Sequence, residues 1–147
     1  MSPGSSRPEG QTDLPDHMIG YWRDNNDPAT ANWPDPRSQV DATWDPKERK
    51  RVIRYLKSGA KYAGSFGYSR CRFKCGIPDW KMGKYDLTDG TFVWPEGYAH
   101  YLLVHHVKPP ERFLHQVRQR LASRPMARVL RFISNLLRCP GKTARSS

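Results

Sequence analysis

The sequence predicts an α+β fold: a small β-hairpin set among helices, with a helical extension at its C-terminal end. Three observations carry that expectation. A capped amphipathic run occupies 46–58, Asp89-Gly90 joins two β-favouring runs, and apolar residues recur at helical spacing from 110 to 138.

The 147 residues suit one domain with tails. Residues 1–17 are Ser, Pro, Gly and charge and are expected to form a disordered tail. The domain is expected to span 18–123, followed by a basic amphipathic helix over 124–138 and a second disordered tail over 139–147. Five Trp, seven Tyr and five Phe supply bulk for a core.

Residues 18–45 set Tyr21, Trp22, Trp33 and Trp44 among Asp, Asn and Pro. This pattern reads as an irregular arm that docks through aromatic anchors. In the helix over 46–58, Asp45 can cap, Pro46 suits N1 and Glu48 can bond back to the cap as in a capping box. Val52, Ile53, Tyr55 and Leu56 supply its apolar stripe, and Gly59 stands where a C′ residue stops it. Residues 60–75 predict one or two short strands ending at a cysteine pair, and 76–86 a loop. The runs 85–88 and 91–94 then flank Asp89-Gly90 as a hairpin. Pro95 and Glu96 are expected to open a helix that runs to about Val107. A helix over 110–123 follows, interrupted by Pro125, and the last helix spans 126–138 with Arg128, Arg131 and Arg138 beside its apolar face.

Charge is unevenly distributed. Residues 1–45 hold three basic and eight acidic groups, whereas 46–147 hold 22 basic and six acidic. Such asymmetry suggests a polyanion as partner (nucleic acid, anionic lipid or an acidic protein), and equally fits a solubilising surface with an acidic arm folded back on it. Arg128, Arg131 and Arg138 are the candidate partner-binding residues. Upstream, Tyr62, Phe66, Tyr68 and Phe73 interleave with Arg70, Arg72 and Lys74, which is a pattern able to stack on bases and equally that of an amphipathic strand. The apolar face of 126–138 fits membrane-surface or partner-helix binding, and also packing on the protein's own core. No apolar run reaches the roughly 18 residues that span a bilayer, and the N-terminal stretch has no apolar segment of signal-peptide length. A cytoplasmic protein is expected. Three cysteines make a poor disulfide framework.

The chemically distinctive stretch is Cys71 to His106. Cys71 and Cys75, a hairpin, and then His100 and His105 on a helix give the ligand order of a zinc-finger-like ββα unit. Two thiolates and two imidazoles are a normal tetrahedral zinc set, and zinc is the expected cofactor. Two spacings are unusual. Twenty-four residues separate Cys75 from His100. His100 and His105 lie about 140° apart on a helix, so both reach one ion only if the last turn tightens or unwinds. His106 is the alternative fourth ligand. Inert structural Cys and His, or a redox cysteine pair, are the competing readings. Cys139 is expected to be free. Asp86, Asp89, Glu96 and His100 suggest a different class, a metal-dependent hydrolase or nuclease. However, no nucleophile with an adjacent base is recognisable, Asp89 is explained by the turn and Glu96 by the helix start. A binding or adaptor role is favoured over catalysis.

Further motifs carry a resemblance. Cys71-Arg72 with Cys75-Gly76, then Leu87-Thr88-Asp89-Gly90 and Trp94-Pro95-Glu96-Gly97-Tyr98-Ala99-His100-Tyr101, resemble an uncharacterised family of small bacterial proteins with a Cys-Arg-x-Cys-Gly turn, a Leu-Thr-Asp-Gly hairpin and a Trp-Pro-Glu-Gly-Leu-Ala-His-Tyr helix start. Trp44-Asp45-Pro46 with Glu48-Arg49, then Tyr55-Leu56 and Gly59, is similar to that family too. The likeness covers roughly residues 20 to 115 and implies a shared organisation, with no established activity. This chain departs in spacing its cysteines by three residues where the family has two, and in its basic C-terminal helix.

Overall fold

The structure is a computed structural model that describes residues 13–137, apart from the side chains of 125–128. It is α+β. Helix α1 (Pro46–Lys57) leads into strand β1 (Ala60–Gly64). A short helix α2 (Asp79–Met82) precedes β2 (Tyr85–Thr88) and β3 (Val93–Pro95). Helices α3 (Tyr98–His105) and α4 (Glu111–Leu137) complete the chain. The three strands form an antiparallel sheet in the order β1-β2-β3. The chain divides into two compact units, Met1–Glu111 and Arg112–Ser147, the division falling after the first residue of α4.

Helix α1 begins where the sequence places it. Asp45 accepts from the backbone N–H groups of Lys47 and Glu48, satisfying donors that the helix cannot. Glu48 lies in the first turn. Its carboxylate accepts from the indole of Trp44 at 2.6 Å and so fixes the buried Trp44 ring over the first turn. Val52, Ile53, Tyr55 and Leu56 are buried on one face, and α1 packs on α3. Gly59 follows the cap Ser58, but its value lies in space. A Cβ there would stand 2.7 Å from the Trp94 ring and 3.0 Å from Leu87 Cβ. Trp94 is wedged at this spot and donates to the carbonyl of Leu56.

The Asp89-Gly90 hairpin forms as expected. The carboxylate of Asp89 accepts from the N–H groups of Thr91 and Phe92, and Gly90 adopts φ +92. Two local expectations shift. The segment 60–75 forms the single strand β1, which ends at Gly64, short of the cysteine pair, and the segment 76–86 includes α2. Pro95 ends β3 and does not open a helix, because Glu96 N–H continues the ladder to the carbonyl of Tyr85. Helix α3 therefore starts at Tyr98.

The aromatic arm docks. Val93 N–H donates to the carbonyl of His17, and Ile19 N–H donates to the carbonyl of Val93, adding the chain around Met18 beside β3. Residues 13–17, expected within the tail, are thus placed, whereas 1–12 and 138–147 lie outside the described residues. Trp22 is buried against Tyr98 and Tyr101. Two short 3-10 turns, Pro28–Thr30 and Pro36–Gln39, are each capped by an Asp and started by a Pro. The arm closes where Asp41 N–H donates to the carbonyl of His106 and Lys108 N–H to that of Gln39.

Helix α4 runs unbroken through Pro125. Proline removes one backbone donor and crowds one turn, and the helix formers on both sides carry the helix past it. Among the described residues, no helix is long and apolar enough to cross a membrane.

Candidate metal centre

The cysteines sit on a compact turn between β1 and α2. Lys74 N–H donates to the carbonyl of Cys71, and the turn closes with Lys74 at φ +50 and Gly76 at φ +82. Arg72 braces it from three sides, with Nε donating to the carbonyl of Arg23, Nη1 to that of Arg70, and Nη2 paired with Asp24. Arg37 donates to the carbonyl of Arg72 at 2.8 Å. The docked arm thereby holds the turn in place.

Helix α3 supplies the histidines. It ends at His105, because His106 takes the left-handed conformation (φ 54, ψ 27) while its N–H caps the carbonyl of Tyr101. Both imidazoles present Nε2, the ring nitrogen farther from the backbone. This reach closes the angular gap that five helical positions leave. Cys71 Sγ lies 3.3 Å from His105 Nε2, and Cys75 Sγ lies 3.4 Å from His100 Nε2. One ligand atom from each of the four residues lies within 4.8 Å of all the others. A tetrahedral zinc with sulfur at about 2.3 Å and nitrogen at about 2.0–2.1 Å has sulfur–nitrogen edges of about 3.5 Å, so the donor types and these two distances are compatible with such an ion.

Tyr101 ties the two segments together. It is 3 % exposed, its hydroxyl accepts from Arg72 N–H at 2.9 Å and donates to the carbonyl of Arg70 at 3.2 Å. Phe73, between the cysteines, stacks on the His105 ring at 4.1 Å and 7°. The Arg37 guanidinium lies 5.2 Å from the centre of the Phe73 ring. These supporting residues were not legible as part of the site. Tyr101 adjoins His100, but no spacing rule connects a helical tyrosine to the backbone of a distant turn.

Burial and, second, the neighbouring imidazole of His105 hold His100 below the ordinary imidazole value, and burial and then His106 do the same to His105. Both rings therefore favour the neutral form that ligates metal. Burial pushes the Cys71 thiol up, so its thiolate calls for a nearby cation.

His106 is not among the four: its Nδ1 meets the guanidinium of Arg49. The acid–base set of Asp86, Asp89, Glu96 and His100 is not assembled. The carboxylate of Asp89 also accepts from the Tyr55 hydroxyl at 2.6 Å. Glu96 accepts from the N–H groups of Lys84 and Tyr85 beside Gly83, which is held at φ +77. Asp86 faces the Tyr21 phenol, which burial and then that carboxylate push up. Of the candidate partner-binding arginines, Arg131 is exposed on α4, while the side chain of Arg128 and all of Arg138 lie outside the described residues, as does Cys139.

Fold and site together define a small α+β protein with a Cys2His2 group able to hold a metal ion. No family model matches the chain, and no curated protein or solved structure matches it either.

Proposed function

We propose that Cys71, Cys75, His100 and His105 bind one zinc ion, and that the protein is a non-enzymatic binding module whose basic, aromatic surface around the cysteine turn contacts single-stranded nucleic acid. The observation that carries the reading is the convergence of four zinc-type donors from two segments within 4.8 Å. Soft sulfur with imidazole selects zinc over oxygen-seeking ions. Four protein ligands leave no position for water or substrate, so the ion is a structural staple. It joins the turn to α3, which suits a small core. Kinship with the uncharacterised bacterial family and a cytoplasmic setting, where thiols stay reduced, belong to this proposal.

Two features support the polyanion. Strand β1 is exposed along its whole length, and Tyr62, Phe66, Tyr68 and Trp80 are exposed, so these aromatics are not spent on the core. Exposed rings among Lys and Arg are what unstacked bases need. Beside Cys71, a cavity of about 320 Å³ is lined by Arg23, Arg37, Arg70, Arg72 and Lys74 against two carboxylates.

Elemental analysis tests the staple. About one zinc per chain is expected, lost on Cys71→Ser, and metal-free wild-type protein would remove it. Without an ion, the same sulfur–nitrogen distances are those of thiol–imidazole hydrogen bonds. Fluorescence anisotropy with a labelled oligonucleotide tests the partner. Affinity should fall as salt rises, and Tyr62→Ala with Phe66→Ala should weaken it. Binding that is absent or indifferent to salt removes the nucleic-acid reading alone.

A further inference from the structure

The C-terminal half of α4 presents six large apolar side chains to solvent: Val129, Leu130, Phe132, Ile133, Leu136 and Leu137, between 44 % and 81 % exposed. In the N-terminal half of the same helix, Phe113, Leu114 and Val117 are fully buried. At 100° per residue the six fall within an arc of roughly 160°, and Arg124 and Arg131 project near its opposite side. From Arg112 to the last residue the sequence holds nine Lys and Arg and no Asp or Glu.

These facts select among occupants for the face. A second copy of this chain would bring the same nine positive groups against the first, and like charges oppose that pairing. A nucleic acid would satisfy the charge but offers no apolar surface to cover six side chains. A leaflet with anionic headgroups satisfies both, because acyl chains take the apolar arc while headgroups meet the arginines. We infer that the 129–137 stretch of α4 is an interfacial helix that lies along an anionic membrane surface, its apolar arc sunk to the level of the headgroup–acyl boundary. It lies on the bilayer without crossing it, because α4 is not apolar enough to span. The inference is independent of the zinc and nucleic-acid readings, which concern the other unit.

The test is co-sedimentation of the full chain with vesicles, either of phosphatidylcholine alone or with about one third phosphatidylglycerol. Binding to the anionic vesicles is expected to be roughly tenfold or more tighter than to the neutral ones and to weaken as salt rises. Leu130→Gln with Leu136→Gln should lose at least about tenfold of that binding. Both residues are exposed, so the variant keeps its fold, and an unchanged far-ultraviolet circular dichroism spectrum checks this. Three results overturn the inference: no binding to either vesicle, equal binding to both, or a double variant that binds like wild type, which reduces the contact to charge alone. A lipid-free dimer in sedimentation velocity that the double variant dissolves would also overturn it, since the face would then belong to a second copy.

Discussion

Cys71 Sγ and His105 Nε2 stand 3.3 Å apart although the residues are 34 positions apart in sequence. Cys75 and His100 repeat the relationship at 3.4 Å. Two such crossings at one point make the turn and α3 a single mechanical unit, and they set the first prediction. His105→Ala should abolish stoichiometric zinc binding, whereas His106→Ala, which alters the ring held by Arg49, should keep it. Colorimetric zinc release during chelator titration reads both. Because metal bound only to the folded state adds stability by mass action, about 4 kcal/mol when free metal exceeds its dissociation constant a thousandfold, chelation should lower the wild-type melting temperature and leave that of His105→Ala unchanged.

Tyr101→Phe isolates the hydroxyl that joins α3 to the cysteine turn. The change removes the acceptor of Arg72 N–H and a donor to the Arg70 carbonyl while keeping the buried ring. Leaving buried polar groups unpaired should cost about 1–3 kcal/mol. Urea unfolding measures that cost, and chelator competition should show weaker zinc retention, because the turn is no longer held in register with the histidines.

Gly59→Ala places a methyl group against the Trp94 ring. Neither that ring nor Leu87 has room to retreat, since both are buried. Overpacking here should cost about 1–3 kcal/mol. Trp94→Phe also destabilises, through the space it opens and the lost bond to the Leu56 carbonyl. The double variant should be less destabilised than the sum of the two single ones, because the clash is absent from it. Additive costs in chemical denaturation would show that the two residues do not meet.

Asp35 gives the pH dependence. The N–H of Arg37, bonded to its carboxylate, is the main cause that holds its pKa below the ordinary 3.8, with Arg37 and Arg23 charges adding to it. A depressed value in the folded state means that the unfolded chain binds the proton more readily. The stabilisation is therefore complete well above pH 3.8 and is lost as pH falls through the lower folded value. Asp35→Asn should be less stable than wild type near neutrality and lose less stability on acidification. Unfolding free energies measured from pH 6 down to about 3 check the slope.

Much of the local structure was legible because its causes are local. Asp45-Pro46 starts α1, Asp89-Gly90 turns the hairpin, and helical spacing marks α4, each through contacts spanning a few residues. Some expectations failed because a partner outside the local motif intervened. Pro95 joined β3 because the carbonyl of Tyr85 offered the next ladder bond to Glu96. Residues 13–17 gained a place because the carbonyl of His17 met the β3 backbone.

The same division runs through the site. Residue type and position along the chain supplied the identity and order of two thiols and two imidazoles, since ligand chemistry belongs to the residue type. They could not decide between His105 and His106, which differ by one position. That choice came from the end of α3, where the left-handed His106 turns its ring to Arg49 and the ring of His105 stays beside the cysteine turn. Nor could they supply Arg37, Arg72, Phe73 and Tyr101 as the frame. Their role depends on the arm, the turn and α3 arriving at one place, and only the folded chain brings together groups so far apart along it.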